Sequence, residues 1–181
     1  MQEVEIKYIK GVYPVFCTFL NNSPSVLDDL KEKIIKYREK YPKPNSSNVK
    51  AWHSHWDTFK FSNCFDDINI QILNRCKEII SEYENPKTTI IRNMWVNMYD
   101  EGDYTLEHIH LPAPFSCCYY VDVEDNCSPI NFPPDLQITP KNDMLLVFGG
   151  NLYHEVPPTR GKRILISINL QQGPNFNFTY S

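Results

Sequence analysis

The sequence predicts a mainly β fold with two helices in its N-terminal half. Three observations carry this. From Ile90 onward, short apolar and aromatic runs recur at 90–99, 115–123, 130–132, 144–148 and 163–170, with Gly, Pro, Asn and Asp clustered between them. Ahead of Ile90, two stretches carry apolar residues at helical rather than alternating intervals. A chain of 181 residues with 41% hydrophobic and 13% aromatic content is large and apolar enough to bury one core, so 1–181 reads as a single domain, with helical support over 25–84 and a β core over about 90–170. Short strands broken by turn signals imply two packed sheets, with the helices laid over one of them.

The elements follow in order. Val4, Ile6 and Tyr8 alternate, and Val12 to Phe16 continues the pattern, which gives one or two strands punctuated by Gly11 and Pro14. Ser25 is placed to cap a helix, with Asp28 and Asp29 in its first turn. Leu27, Leu30, Ile34, Ile35 and Tyr37 form its apolar face to about Tyr41, and Pro42 and Pro44 end it. Residues 49–61 fit neither period but contain Trp52-His53-Ser54-His55-Trp56. A second helix spans 66–83, with Ile68, Ile72, Cys76, Ile79 and Ile80 at helical spacing and Pro86 beyond it. After the strand runs, the tail 173–181 alternates aromatic and polar residues, as an edge strand or a free end would.

Several function classes are excluded by composition. Net charge is −4, with Lys and Arg scattered, so no basic stripe points to a nucleic-acid partner. No apolar run approaches the roughly 18 residues needed to cross a bilayer, so no membrane partner is expected. The polar, acidic start does not read as a signal peptide, and a cytoplasmic location is expected. The six cysteines (17, 64, 76, 117, 118 and 127) include no CxxC pair and read as buried free thiols.

The chemistry concentrates between Trp95 and Arg163. Glu107-His108-Ile109-His110 follows an apolar strand and a turn at Asp100-Glu101-Gly102-Asp103. A third histidine, His154, lies after a strand and a Gly149-Gly150 turn, and Arg163 opens another strand nine residues later. Strand side chains repeat every second residue, so His108 and His110 would point the same way and Glu107 away. Neutral imidazoles are good ligands for ferrous iron, and three on one face leave positions open for substrate and O2. An arginine behind such a face offers a planar fork for a buried carboxylate.

From Trp95 to Leu170 this order of motifs resembles the Fe(II)- and 2-oxoglutarate (2OG)-dependent dioxygenases, in particular the prolyl-hydroxylase-like branch and its small phage and bacterial relatives. The resemblance implies a double-stranded β-helix, that is, a cupin-like jelly roll, with Fe(II), 2OG as cosubstrate and O2. It implies His108, His110 and His154 as metal ligands and Arg163 as partner of the far 2OG carboxylate, aided by Ser167, Tyr120 (rather than its neighbour Tyr119) and Tyr99. His110 departs from the family pattern, which usually has Asp or Glu at that position. The family's activity is hydroxylation of an unactivated C–H bond, with a prolyl residue of a peptide or protein as the first substrate guess and a small molecule as the other. His53, His55 and Trp95 are candidate substrate contacts, with the 52–56 segment flanking the site. Two alternatives are a three-histidine, cupin-type dioxygenase that does not use 2OG and a non-catalytic jelly-roll binding module.

Overall fold

The computed structural model describes residues 3–11, 13–43, 48–58, 65–83 and 88–173. The 174–181 tail, for which an edge strand or a free end was expected, and Cys64 lie outside the described residues. The expected pair of opening strands is present as β1 (Glu5–Ile9) and β2 (Tyr13–Phe19). Helix α1 (Pro24–Lys40) follows, then the short strands β3 (Val49–Lys50) and β4 (Trp52–His53), and helix α2 (Asp66–Tyr83). The remaining strands are β5 (Thr88–Tyr99), β6 (Tyr104–His108), β7 (Phe115–Val123), β8 (Ile130–Phe132), β9 (Leu136–Ile138), β10 (Met144–Gly149), β11 (His154–Val156) and β12 (Arg163–Gly173).

They form two antiparallel sheets, ordered β1-β2-β10-β7-β12-β5-β4 and β3-β6-β11-β8-β9. Four of these strands come from ahead of the span expected for the β core: β1 and β4 form the two edges of the major sheet, with β2 next to β1, and β3 forms one edge of the minor sheet. The major sheet is covered twice. Leu30, Ile34, Ile68, Ile72 and Ile79 of the helices pack with Cys117, Tyr119, Leu145, Val147, Ile164 and Ile166 on one face. Cys118, Tyr120, Leu146, Phe148 and Leu165 turn to the other face and pack with Ile130, Phe132, Ile138 and Val156 of the minor sheet. Burial on both faces explains why β7, β10 and β12 read as continuous apolar runs rather than as an alternation. The described cysteines are buried free thiols, with Cys117 and Cys118 in separate cores as adjacent strand residues must be.

Two local expectations are corrected. The helix start is Ser23 rather than Ser25, and its first turn holds no acid. Pro24 accounts for the shift: its fixed φ suits the first helical position, and its missing N–H is no loss there. Ile35 is 37% exposed and falls off the apolar face that Leu30, Ile34 and Tyr37 bury. No helix among the described residues is long and apolar enough to cross a membrane.

Candidate metal centre

One cavity of about 290 Å³ opens between the sheets. Its floor comes from three neighbouring strands of the major sheet. Trp95, Asn97 and Tyr99 of β5, Arg163, Leu165 and Ser167 of β12, and Cys118 and Tyr120 of β7 all line it. Each set steps by two, as residues sharing one face of a strand must. Asn97 was not anticipated as a lining residue, although its place between Trp95 and Tyr99 was the signal for it. Tyr119 faces away and donates its hydroxyl to Asp143, at 2.8 Å.

At the mouth stand His108, His110 and His154, whose ligand atoms lie within 4.8 Å of one another. His108 and His154 meet because β6 and β11 place them in direct cross-strand register. His110 reaches them differently from the strand alternation expected for the pair. Strand β6 ends at His108, and His110 belongs to the turn beyond it. That turn is pinned from both sides. The His110 N–H donates to Gly150 O at 2.7 Å, the Gly150 N–H donates to Pro114 O at 2.9 Å, and the Ala113 N–H donates back to His110 O at 2.9 Å. Gly150 is required there, since a Cβ on it would sit 1.9 Å from Ala113 O.

Tautomers are set by backbone carbonyls. Nδ1–H of His108 donates to Leu106 O at 2.8 Å and Nδ1–H of His154 to Leu152 O at 3.0 Å, which leaves both Nε2 lone pairs free to ligate. His110 Nε2 lies 3.2 Å from His154 Nε2, a spacing that a shared cation would explain. Burial and the neighbouring imidazoles hold His110 down to about 3 and His154 well below the usual imidazole range; burial lowers His108 as well. The three are therefore neutral, as ligands must be. Glu107 is exposed, and the cluster contains no carboxylate among the described residues.

Arg163 is 1% exposed. Its Nη1 donates to Ser128 O at 3.0 Å, and its guanidinium lies 4.5 Å from the centre of the Tyr99 ring. Its Nε has no acceptor, and no described carboxylate pairs with it. A buried cation without a counter-ion is costly, so the floor of the cavity is built to receive an anion. Ser167 lines the same cavity further along β12, with its Oγ accepting from Asn97 Nδ2 at 3.3 Å. The Tyr99 hydroxyl is tied to Thr105 Oγ1, a second lining residue not anticipated from sequence.

The candidate substrate contacts divide. Trp95 and His53 line the cavity, as does Trp56. His55 does not: it is exposed, and its ring packs edge-on against Tyr41 at 5.5 Å.

No family model matches the sequence, nor does any curated protein. Solved structures do match in fold. A viral collagen prolyl hydroxylase from Paramecium bursaria Chlorella virus-1, in its 2OG complex, superposes with a TM-score of 0.67 at 17% identity over 92% of this chain and 100% of its own. A Pseudomonas putida prolyl-4-hydroxylase gives 0.70 at 12% identity over 90% and 95%. A Trichoplax adhaerens prolyl hydroxylase, bound to a peptide fragment of hypoxia inducible factor, gives 0.68 at 17% identity over 87% and 83%. With its helices on the major sheet and its histidines at the mouth between the sheets, the chain has the double-stranded β-helix fold of the prolyl hydroxylases and 2OG-Fe(II) oxygenases.

Proposed function

We propose that this protein is an Fe(II)- and 2OG-dependent oxygenase that hydroxylates an unactivated C–H bond. A single observation carries the reading: three neutral, converging imidazoles share one cavity with a buried guanidinium that lacks an anionic partner among the described residues. When bound, iron with 2OG and O2 supplies the oxidising chemistry, in which the oxo acid loses CO2 to give succinate and one oxygen atom enters the substrate.

The chain's own residues would divide the remaining work. His108, His110 and His154 hold the ion, and Arg163 with Ser167 holds the far carboxylate of 2OG. Tyr120 and Tyr99 wall the cosubstrate, and Tyr99 also orients the guanidinium by lying beneath it. Charge supports a dianionic cosubstrate. Three imidazoles bring no negative charge to a divalent ion, unlike a set that includes a carboxylate. A metal and Arg163 together therefore leave the cavity short of anions, and a diacid supplies two. The first substrate guess is a prolyl residue of a peptide or protein, which draws support from the peptide-bound Trichoplax structure of the same fold.

Anaerobic titration with Fe(II) and then 2OG tests the proposal. A visible charge-transfer band followed by succinate release in air is the expected result. Metal binding without the band would favour the three-histidine dioxygenase that does not use 2OG. Failure to bind ferrous iron would leave a binding module. The position of Arg163 inside the cavity favours the first reading over both.

A further inference from the structure

His53 holds a buried polar atom that neither the metal nor the cosubstrate uses. It is 0% exposed and lines the cavity. Strand β4 pairs it with Asn97 of β5, so its side chain shares the inward face of the major sheet. Its Nδ1 lies 2.5 Å from Ser54 O, and a carbonyl can only accept, so Nδ1 carries the proton. The other nitrogen, Nε2, is then a bare lone pair, and it has no partner among the described residues. Around it stand Trp56, at 4.6 Å between ring centres, and Trp95, parallel to within 10° at 5.8 Å. Trp95 in turn lies 5.8 Å from His110, so this aromatic wall runs from His53 to the metal-ligating cluster.

We propose that His53 reads the substrate: Nε2 accepts a hydrogen bond from an N–H or O–H on a flat group lying against Trp56 and Trp95. The proposal rests on the cavity being the oxygenase site and names the chemistry its substrate end selects. The wall carries no cation, and a lone pair repels a carboxylate. The selected group is therefore planar, largely apolar and bears a donor without negative charge. Leaving a buried acceptor unmet when the donor is missing is what gives such a site its selectivity. Burial holds His53 below the usual imidazole range, which keeps the acceptor in place at neutral pH.

The test uses the metal-free full chain with 15N-labelled histidine and a matched pair of probes, indole and N-methylindole. Indole should move the Nε2 resonance of His53 and bind roughly three- to tenfold tighter than N-methylindole, the worth of one hydrogen bond. His53→Phe should bring the two affinities together, and His53→Gln, which keeps an acceptor oxygen, should restore part of the preference. Equal affinities in the unaltered protein, or a preference that survives in His53→Phe, would overturn the proposal. The Fe(II)/2OG band reads the metal centre independently. A missing band with the indole preference intact removes the oxygenase reading and leaves the recognition site; a band without the preference removes only the recognition site.

Discussion

Two histidine pairs in this chain share one spacing and meet different ends. His108 and His110 converge, with ring centres 4.9 Å apart, whereas His53 is fully buried and His55 is exposed. Both pairs straddle the end of a strand, β6 in one case and β4 in the other, so period-two alternation governs neither. What separates them is how the backbone beyond the strand is held. The His110 turn is stapled to Gly150 and so folds back over the cavity. After β4, the Ser54 N–H donates to Val96 O, and Ser54 Oγ accepts from the Val96 N–H, which holds the chain on the sheet at Ser54 and lets His55 swing out. In this chain an HxH spacing thus brings its two rings together only where a second segment closes the turn.

The largest expected effect puts the two pairs side by side. His110→Ala or His154→Ala should weaken Fe(II) binding by more than about a hundredfold, beyond what the outer partners of a ligand usually cost. His55→Ala should leave that affinity in place, as read by anaerobic calorimetry. Comparable losses from His55→Ala and His110→Ala would undo the distinction.

Next in size is the floor of the cavity, where alternation does hold. Arg163→Ala should weaken 2OG binding by roughly thirtyfold or more, the low end for losing one partner of a buried charge pair, and should weaken Fe(II) binding less. Equal loss of both would remove Arg163 from its assigned role.

These two tests separate what was legible in the sequence from what was not. Arg163, Ser167, Tyr99 and Tyr120, the residues the family resemblance singled out, share the lining of one cavity, because strands covered on both faces have a fixed register. The second helix and β7 match their expected bounds because long apolar runs dominate local choice; β8 matches as well, although its three residues are too few to show a period. The mouth was less legible. The place of His110 depends on Gly150, 40 residues away in sequence, and that of His53 on Val96 and Asn97, and such contacts leave no local pattern. β9 and β11 have three residues each and β3 and β4 two, too short to show a period.

Gly150 offers a way to break the staple without touching a ligand. With a Cβ 1.9 Å from Ala113 O, Gly150→Ala must push the His110 turn outward. Thermal unfolding should show a loss of about 1–3 kcal/mol, the usual cost of overpacking. Fe(II) affinity should fall while Arg163, on another strand, still binds 2OG-like diacids. Retention of full metal affinity would mean that the turn does not position His110.

The smallest effect concerns the metal-free protein and acid. In the unfolded chain an imidazole takes up a proton below about pH 6.5. In the folded protein burial and crowding hold His110 to about 3, and burial lowers His53, His108 and His154 as well. The unfolded state therefore binds more protons across this window, and stability must fall as pH drops from about 6.5 toward the folded values. Each such imidazole adds a slope of at most about 1.4 kcal/mol per pH unit. Between pH 6.5 and 5 most ordinary carboxylates stay ionised, so the slope there reports mainly the histidines. Denaturant unfolding at stepped pH should show a shallower decline in His110→Gln than in the unaltered protein. An unchanged slope would mean that His110 protonates in the folded state, and the neutral triad that the proposed metal centre requires would not exist.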